Sequence, residues 1–190
     1  MPVTRTPFGR ISLAPLLLPA LLGLAFSFTS CSEQAPPATA DDKGPRPSPA
    51  ATATATVPGG ATFTIRYSRP SAHERKVMGG LVPYGQVWRT GANEATTFTV
   101  DKPVRVQGQP LPAGKYALFT IPQEKEWTII FNSQPNQWGA YEYDATRDTL
   151  RVAAPVSALS RPVEQFTITA DKSGEVGIAW ENTRATFKVE

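Results

Sequence analysis

The sequence predicts an all-β domain over residues 61–190, an antiparallel two-sheet sandwich of about eight or nine strands, with a small closed β-barrel as the alternative. Three observations lead there. Short stretches rich in Val, Ile, Thr, Phe, Tyr and Trp alternate apolar with polar positions, which is the pattern of strands with one buried face. Turn residues recur between these stretches at the spacing of about 8–12 positions expected of a sandwich. No segment sustains the 3.6-residue period of an amphipathic helix.

The elements follow in chain order. Phe63, Ile65 and Tyr67 alternate with Thr62, Thr64 and Arg66; Phe98 and Val100 mark a strand within residues 96–101; Val104 and Val106 precede a turn at Gly108. Residues 115–121 and 127–131 are the most apolar runs, and the polar stretch at residues 122–126 joins them as a central hairpin. Residues 149–153 form a further short strand. Residues 165–170 and 175–180 flank Asp171-Lys172-Ser173-Gly174, and Glu181-Asn182-Thr183 is expected to turn the chain into a last strand at residues 185–189, a three-strand meander.

Two connections exceed what a hairpin requires, residues 68–94 and 132–148. Structureless loops longer than about 12–15 residues are uncommon in compact domains unless functional or disordered. The first carries Val77, Met78, Leu81, Val82, Tyr84, Val87 and Trp88, too apolar for disorder, and the second carries Trp138, Tyr141 and Tyr143. These two loops are expected to pack together, with Arg89 and Glu94 near Trp138 or Tyr141.

The 190-residue chain is longer than this domain. Residues 1–12 carry Arg5 and Arg10 and no acid, residues 13–28 are apolar, and Thr29-Ser30 precede Cys31. That is the order of a signal peptide, residues 1–30. A membrane-spanning helix needs about 20 apolar residues, and this run is shorter and broken by Pro15 and Pro19. Phe28-Thr29-Ser30-Cys31 resembles the bacterial lipoprotein box, with Phe28 where leucine is usual, so Cys31 is the expected lipidation site. As the chain's single cysteine it has no disulfide partner. Residues 32–60 lack Phe, Tyr, Trp, Leu, Ile and Met, and such a composition buries too little apolar surface to order itself. The lipidated cysteine and an Ala/Pro/Thr-rich disordered tether thus occupy residues 31–60, and residues 61–190 are expected to fold without them. The predicted location is exported and lipid-anchored to a bacterial membrane, on the periplasmic or outer-membrane side.

The domain is nearly balanced in charge, with 15 Lys and Arg against 13 Asp and Glu in residues 61–190. It has no basic cluster of the kind that nucleic-acid binding requires. A single histidine and no cysteine within the domain leave neither a hydrolytic triad nor a zinc site with enough ligands, and no cofactor is expected.

Tyr67-Ser68-Arg69-Pro70-Ser71, Gly79-Gly80-Leu81-Val82-Pro83-Tyr84-Gly85, Val87-Trp88-Arg89-Thr90-Gly91-Ala92-Asn93-Glu94-Ala95-Thr96, Leu111-Pro112-Ala113-Gly114, Trp138-Gly139-Ala140-Tyr141 and Trp180-Glu181-Asn182-Thr183 together resemble the bacterial domain-of-unknown-function family 2911. The resemblance covers nearly all of residues 62–190. It implies an exported, often lipid-anchored β-domain frequent in Bacteroidetes-like bacteria, and it implies no activity.

Function is therefore read from side chains. Arg69, Arg75 and Arg89 lie in one long connection beside Trp88, Asn93 and Glu94; planar guanidinium forks next to an aromatic face suit a carboxylate, a phosphate or a sugar ring. A self-satisfied network is the competing account, with Glu94 pinned by Arg69, Arg75 or Arg89. Trp138 and Tyr141 offer a stacking platform for sugars, whereas Trp127 and Trp180 fall within strand alternation and belong to the core. The leading expectation is a non-catalytic envelope module for a saccharide, another polar ligand or a protein partner. The alternatives are a glycoside or other hydrolase using Glu94 and the loop arginines, and a purely structural domain.

Overall fold

A computed structural model of the chain describes residues 46–190. The expected signal peptide, Cys31 and the first part of the tether lie outside the described residues. Nine strands follow: β1 Ala50–Thr56, β2 Thr62–Ser68, β3 Thr97–Val100, β4 Val104–Val106, β5 Gln109–Leu111, β6 Gly114–Ile121, β7 Glu126–Asn132, β8 Asp148–Ala170 and β9 Glu175–Lys188. Seven form one curled antiparallel sheet in the order β1-β2-β3-β6-β7-β8-β9, and β4 pairs with β5.

The curl makes the sandwich. The first part of β8 pairs with β7 and the remainder with β9, so this one 23-residue strand passes from one layer to the other. Tyr67 of β2 closes the layers at one end: its hydroxyl donates to the Ile168 carbonyl at 3.2 Å and accepts from the Ile168 N–H at 3.0 Å. Beyond β2 the chain runs along the edge of β8, with Phe166 N–H donating to Pro70 O and Ala72 N–H to Glu164 O. On the other side Arg105 of β4 exchanges two 2.7 Å backbone bonds with Glu190. Between the layers, Phe63 stacks on Phe98, Phe98 meets Phe131 edge-on at 5.0 Å, and Phe131 reaches Phe187.

Strands β6 and β7 are buried on both faces, which is why they read as the most apolar runs. Leu118, Ile129 and Phe131 point into the main core. Ala117, Phe119 and Ile130 form a second cluster with Ala95, Val87, Ala140 and Tyr143, residues of the two long loops. Those loops thus roof the outer face of the central hairpin.

Two expectations are corrected here. The domain starts earlier than residue 61, because β1 lies within the stretch read as tether and pairs with β2 along its full length. Its composition concealed this: Ala51, Ala53 and Ala55 pack on the core, and small methyl groups suffice against the larger side chains of β2, while the threonines of the opposite face pair across the hairpin, Thr54 with Thr64 and Thr56 with Thr62. The C-terminal meander is also absent. Glu181 adopts a left-handed φ of 51°, but it stays paired with Val163 and β9 continues, the extra residues on either side of that pair being bulged out of β8, and the Glu181 carboxylate accepts from the Val77 N–H, tying the first long loop to the strand.

Candidate functional site

The Trp88–Thr96 motif is built by β6. Trp88 exchanges backbone bonds with Thr120, Trp88 N–H to Thr120 O at 2.8 Å and Thr120 N–H to Trp88 O at 2.9 Å, and this seats the Trp88 ring in the core. There it stacks on Trp180, centroids 6.0 Å apart and planes 16° from parallel, and meets Trp127 and Phe166 edge-on. The next residues turn sharply. Thr90 is fully buried at φ 56°, Gly91 lies at φ 152° and Asn93 at φ 59°. A side chain at Gly91 would come within 2.9 Å of the Ser68 carbonyl oxygen, so the close approach of loop to β2 requires glycine. Thr96 Oγ1 donates to Thr90 O at 2.6 Å and closes the turn.

This backbone leaves a cleft of about 230 Å³ at one end of the sandwich, bordered by Pro70, Arg75, Leu81, Trp88, Arg89 and Trp180 among others. Arg89 decides its chemistry. Its Nε is buried with no acceptor, and the guanidinium forms no hydrogen bond or ion pair with any described residue. Arg75 across the cleft is partly committed, Nε donating to Ala72 O at 2.8 Å and a terminal nitrogen to Ser71 O at 3.0 Å. The Trp180 Nε1–H is spent on Glu164 O. What remains on offer is guanidinium donors beside an indole pair.

The other anticipated residues separate from this cleft. Arg69 is structural: its Nε donates to Phe166 O at 3.1 Å and a terminal nitrogen to Thr167 Oγ1 at 2.9 Å, stitching the end of β2 to β8. Asn93 donates to Ser48 O at 3.3 Å. Glu94 pairs with none of the three loop arginines; it takes Arg46 instead, at 2.8 and 3.1 Å, because the loop arginines face the other side of the motif. Burial of Glu94 pushes its carboxyl up, but its own backbone N–H and the Arg46 guanidinium outweigh this and hold it below the usual carboxylate range.

The two long loops do meet. Glu94 bridges Trp138 in antiparallel register, with Ala95 N–H donating to Gln137 O at 3.0 Å and Gly139 N–H to Asn93 O at 3.1 Å. Glu94 and Trp138 therefore share a cleft, whereas Arg89 lies in another with no lining residue in common. Tyr141 lines neither and is 85% exposed. The second loop is anchored from within: Asp148 accepts from Tyr143 Oη at 2.6 Å, Arg151 Nε at 2.7 Å and Asn132 Nδ2 at 2.8 Å, and Asp144 caps the 3₁₀ turn Ala145–Arg147 by accepting from Thr146. Among the described residues no three His, Cys, Asp or Glu side chains gather as a metal-holding group, and no helix is long and apolar enough to cross a membrane.

Residues 48–189 match the model of a family described as Protein of unknown function (DUF2911). The chain belongs to this family. The matched span includes β1, so the strand missed in the sequence is part of the DUF2911 domain. No curated protein and no solved structure matches the chain. Two further contributors to the DUF2911 domain's clefts escaped the sequence reading. Trp180 is both core and cleft wall, a double role that strand alternation cannot signal. Gln137 lies beside Trp138 in sequence, yet only the folded loop shows it to be 93% buried, from a relative exposure of 7%.

Proposed function

We propose that the domain is a non-catalytic binding module of the cell envelope, exported and held to a bacterial membrane through a lipid on Cys31, and that its cleft between Arg89 and the Trp88–Trp180 pair takes a small ligand bearing a carboxylate or phosphate. One observation carries the reading: Arg89 borders the cleft and is committed to no described protein group. A guanidinium left without an acceptor beside an apolar wall is costly unless a ligand or water completes it, and its planar fork matches two anionic oxygens. The cleft, at about 230 Å³, suits a ligand smaller than those filling typical pockets of about 300–1,000 Å³.

Hydrolysis by Glu94 is less well supported. A general acid works with a raised pKa, and that of Glu94 is lowered. Glycoside hydrolysis also calls for a second carboxylate, and Glu94 is the one acid lining either cleft it borders. A purely structural role would surround Arg89 with protein acceptors.

The test is calorimetric titration of the purified chain with glucuronate, glutamate and inorganic phosphate, with glucose as the uncharged control. At least one anion should bind where glucose does not, and Arg89→Ala should abolish that binding while changing unfolding stability by no more than about 1 kcal/mol. Failure of every anion to bind overturns the proposal. So does a loss of about 3–5 kcal/mol in Arg89→Ala, the signature of a stranded buried partner.

A further inference from the structure

A second groove lies on the outer side of the domain, where two clefts run together. One, of about 310 Å³, is bordered by Ala50 and Thr52 of β1 and by Arg66 and Ser68 of β2. The other, of about 380 Å³, is bordered by residues 135–138 of the second long loop. They share Glu94, Ala95 and Thr97, so the two adjoin along this stretch. We infer that this groove binds a chain of neutral, hydroxyl-bearing sugar rings, with Trp138 as the stacking face.

Three features support that occupant. Trp138 is 59% exposed although its backbone is pinned on both sides, by Ala95 N–H to Gln137 O and by Gly139 N–H to Asn93 O. The ring is thus presented by a fixed backbone, and an indole face joins a large apolar contact to a polar edge, which suits the alternating C–H and O–H surface of a sugar. Beside it, the Gln137 side chain is nine-tenths buried. Its Nε2 is engaged by Gln134 O at 2.7 Å and Asn132 Oδ1 at 3.3 Å, which fixes the amide orientation and leaves Oε1 as a buried acceptor without a donor. An unmatched acceptor is costly and calls for a hydroxyl donor.

The groove's charge is the third feature. Its single acid, Glu94, is already neutralised by Arg46, so the lining holds no unspent negative charge that would select an amine. Arg66, the other charged residue of the lining, is exposed and keeps its hydration, so a neutral ligand with many hydroxyls satisfies the acceptors without a charge having to be desolvated. Two adjoining clefts of these volumes favour several rings over one.

The inference is independent of the Arg89 cleft, and its test separates the two. The purified chain is titrated with cellohexaose, maltohexaose and chitohexaose and with the corresponding single sugars, binding being read by calorimetry and by tryptophan fluorescence. At least one hexasaccharide should bind about tenfold or more tightly than its single sugar. Trp138→Ala should weaken that binding about tenfold or more, with an unchanged unfolding midpoint because the side chain is exposed, while Arg89→Ala should leave it unaltered. The inference is overturned if no hexasaccharide binds, if Trp138→Ala binds as wild type does, or if the loss appears instead in Arg89→Ala.

Discussion

Arg69 and Arg89 leave the same loop with the same side chain and meet different surroundings. Arg69 emerges where the chain runs beside β8, within reach of the Phe166 carbonyl and Thr167 hydroxyl, and so becomes a cross-layer stitch. Arg89 follows a tryptophan locked to β6 and precedes a left-handed threonine, which aims it at a cleft with no acceptor of its own. Residue type offered a guanidinium at both positions; neighbours decided its use. The same logic makes Tyr143 a pH-sensitive anchor. Burial, then the hydrogen bond and charge of Asp148, push its phenol up to about 12, with Arg151 opposing. A phenol with a raised folded pKa holds its proton more tightly in the native state, so its contribution to stability is complete below the ordinary value near pH 10 and is lost as pH rises towards 12. Unfolding midpoints across that window should fall more steeply for wild type than for Tyr143→Phe, and parallel curves would show that the phenol is not the group responsible.

At the scale of elements, β1 and β9 show opposite errors of local reading. β1 carries alanine and threonine, which look like linker, yet β2 has an edge to be paired and the core beneath it accepts methyl groups. A lone two-stranded ribbon of that composition would not hold; against a formed sheet it does. In β9, Glu181-Asn182-Thr183 looks like a turn, yet pairing with β8 on either side carries the strand straight through. The β6–β7 hairpin was legible because its burial on both faces leaves a continuous apolar run that no neighbour has to supply. These points make β1 part of the folding unit. A chain beginning at Ala61 should unfold at lower urea concentration than one beginning at Arg46, with a stability loss of about 2 kcal/mol or more from the uncovered β2 edge and core alanines. Equal midpoints would mean that β1 only decorates the sheet.

For the whole molecule, the two clefts sit on a β scaffold whose long loops are tied down by backbone pairing, and the proposed lipid on Cys31 would hold this scaffold at a membrane surface. Two or more acyl chains anchor stably, since each buried methylene contributes about 0.8 kcal/mol. Cys31→Ala should therefore move the protein from the membrane fraction to the soluble fraction, and continued membrane retention would show that the anchor lies elsewhere. By itself the sequence determined the all-β class, the central hairpin, and the meeting of the two long loops, because period-2 alternation, polar turns and surplus aromatic residues are local properties that a chain carries wherever it folds. The tertiary structure alone decided that β1 is a strand, that β9 does not turn, that Glu94 pairs with Arg46, and that Arg89 and Trp138 face separate clefts. Each of these depends on which edge, carbonyl or charge stands nearby after folding, and partners far apart in sequence leave no mark in the local pattern.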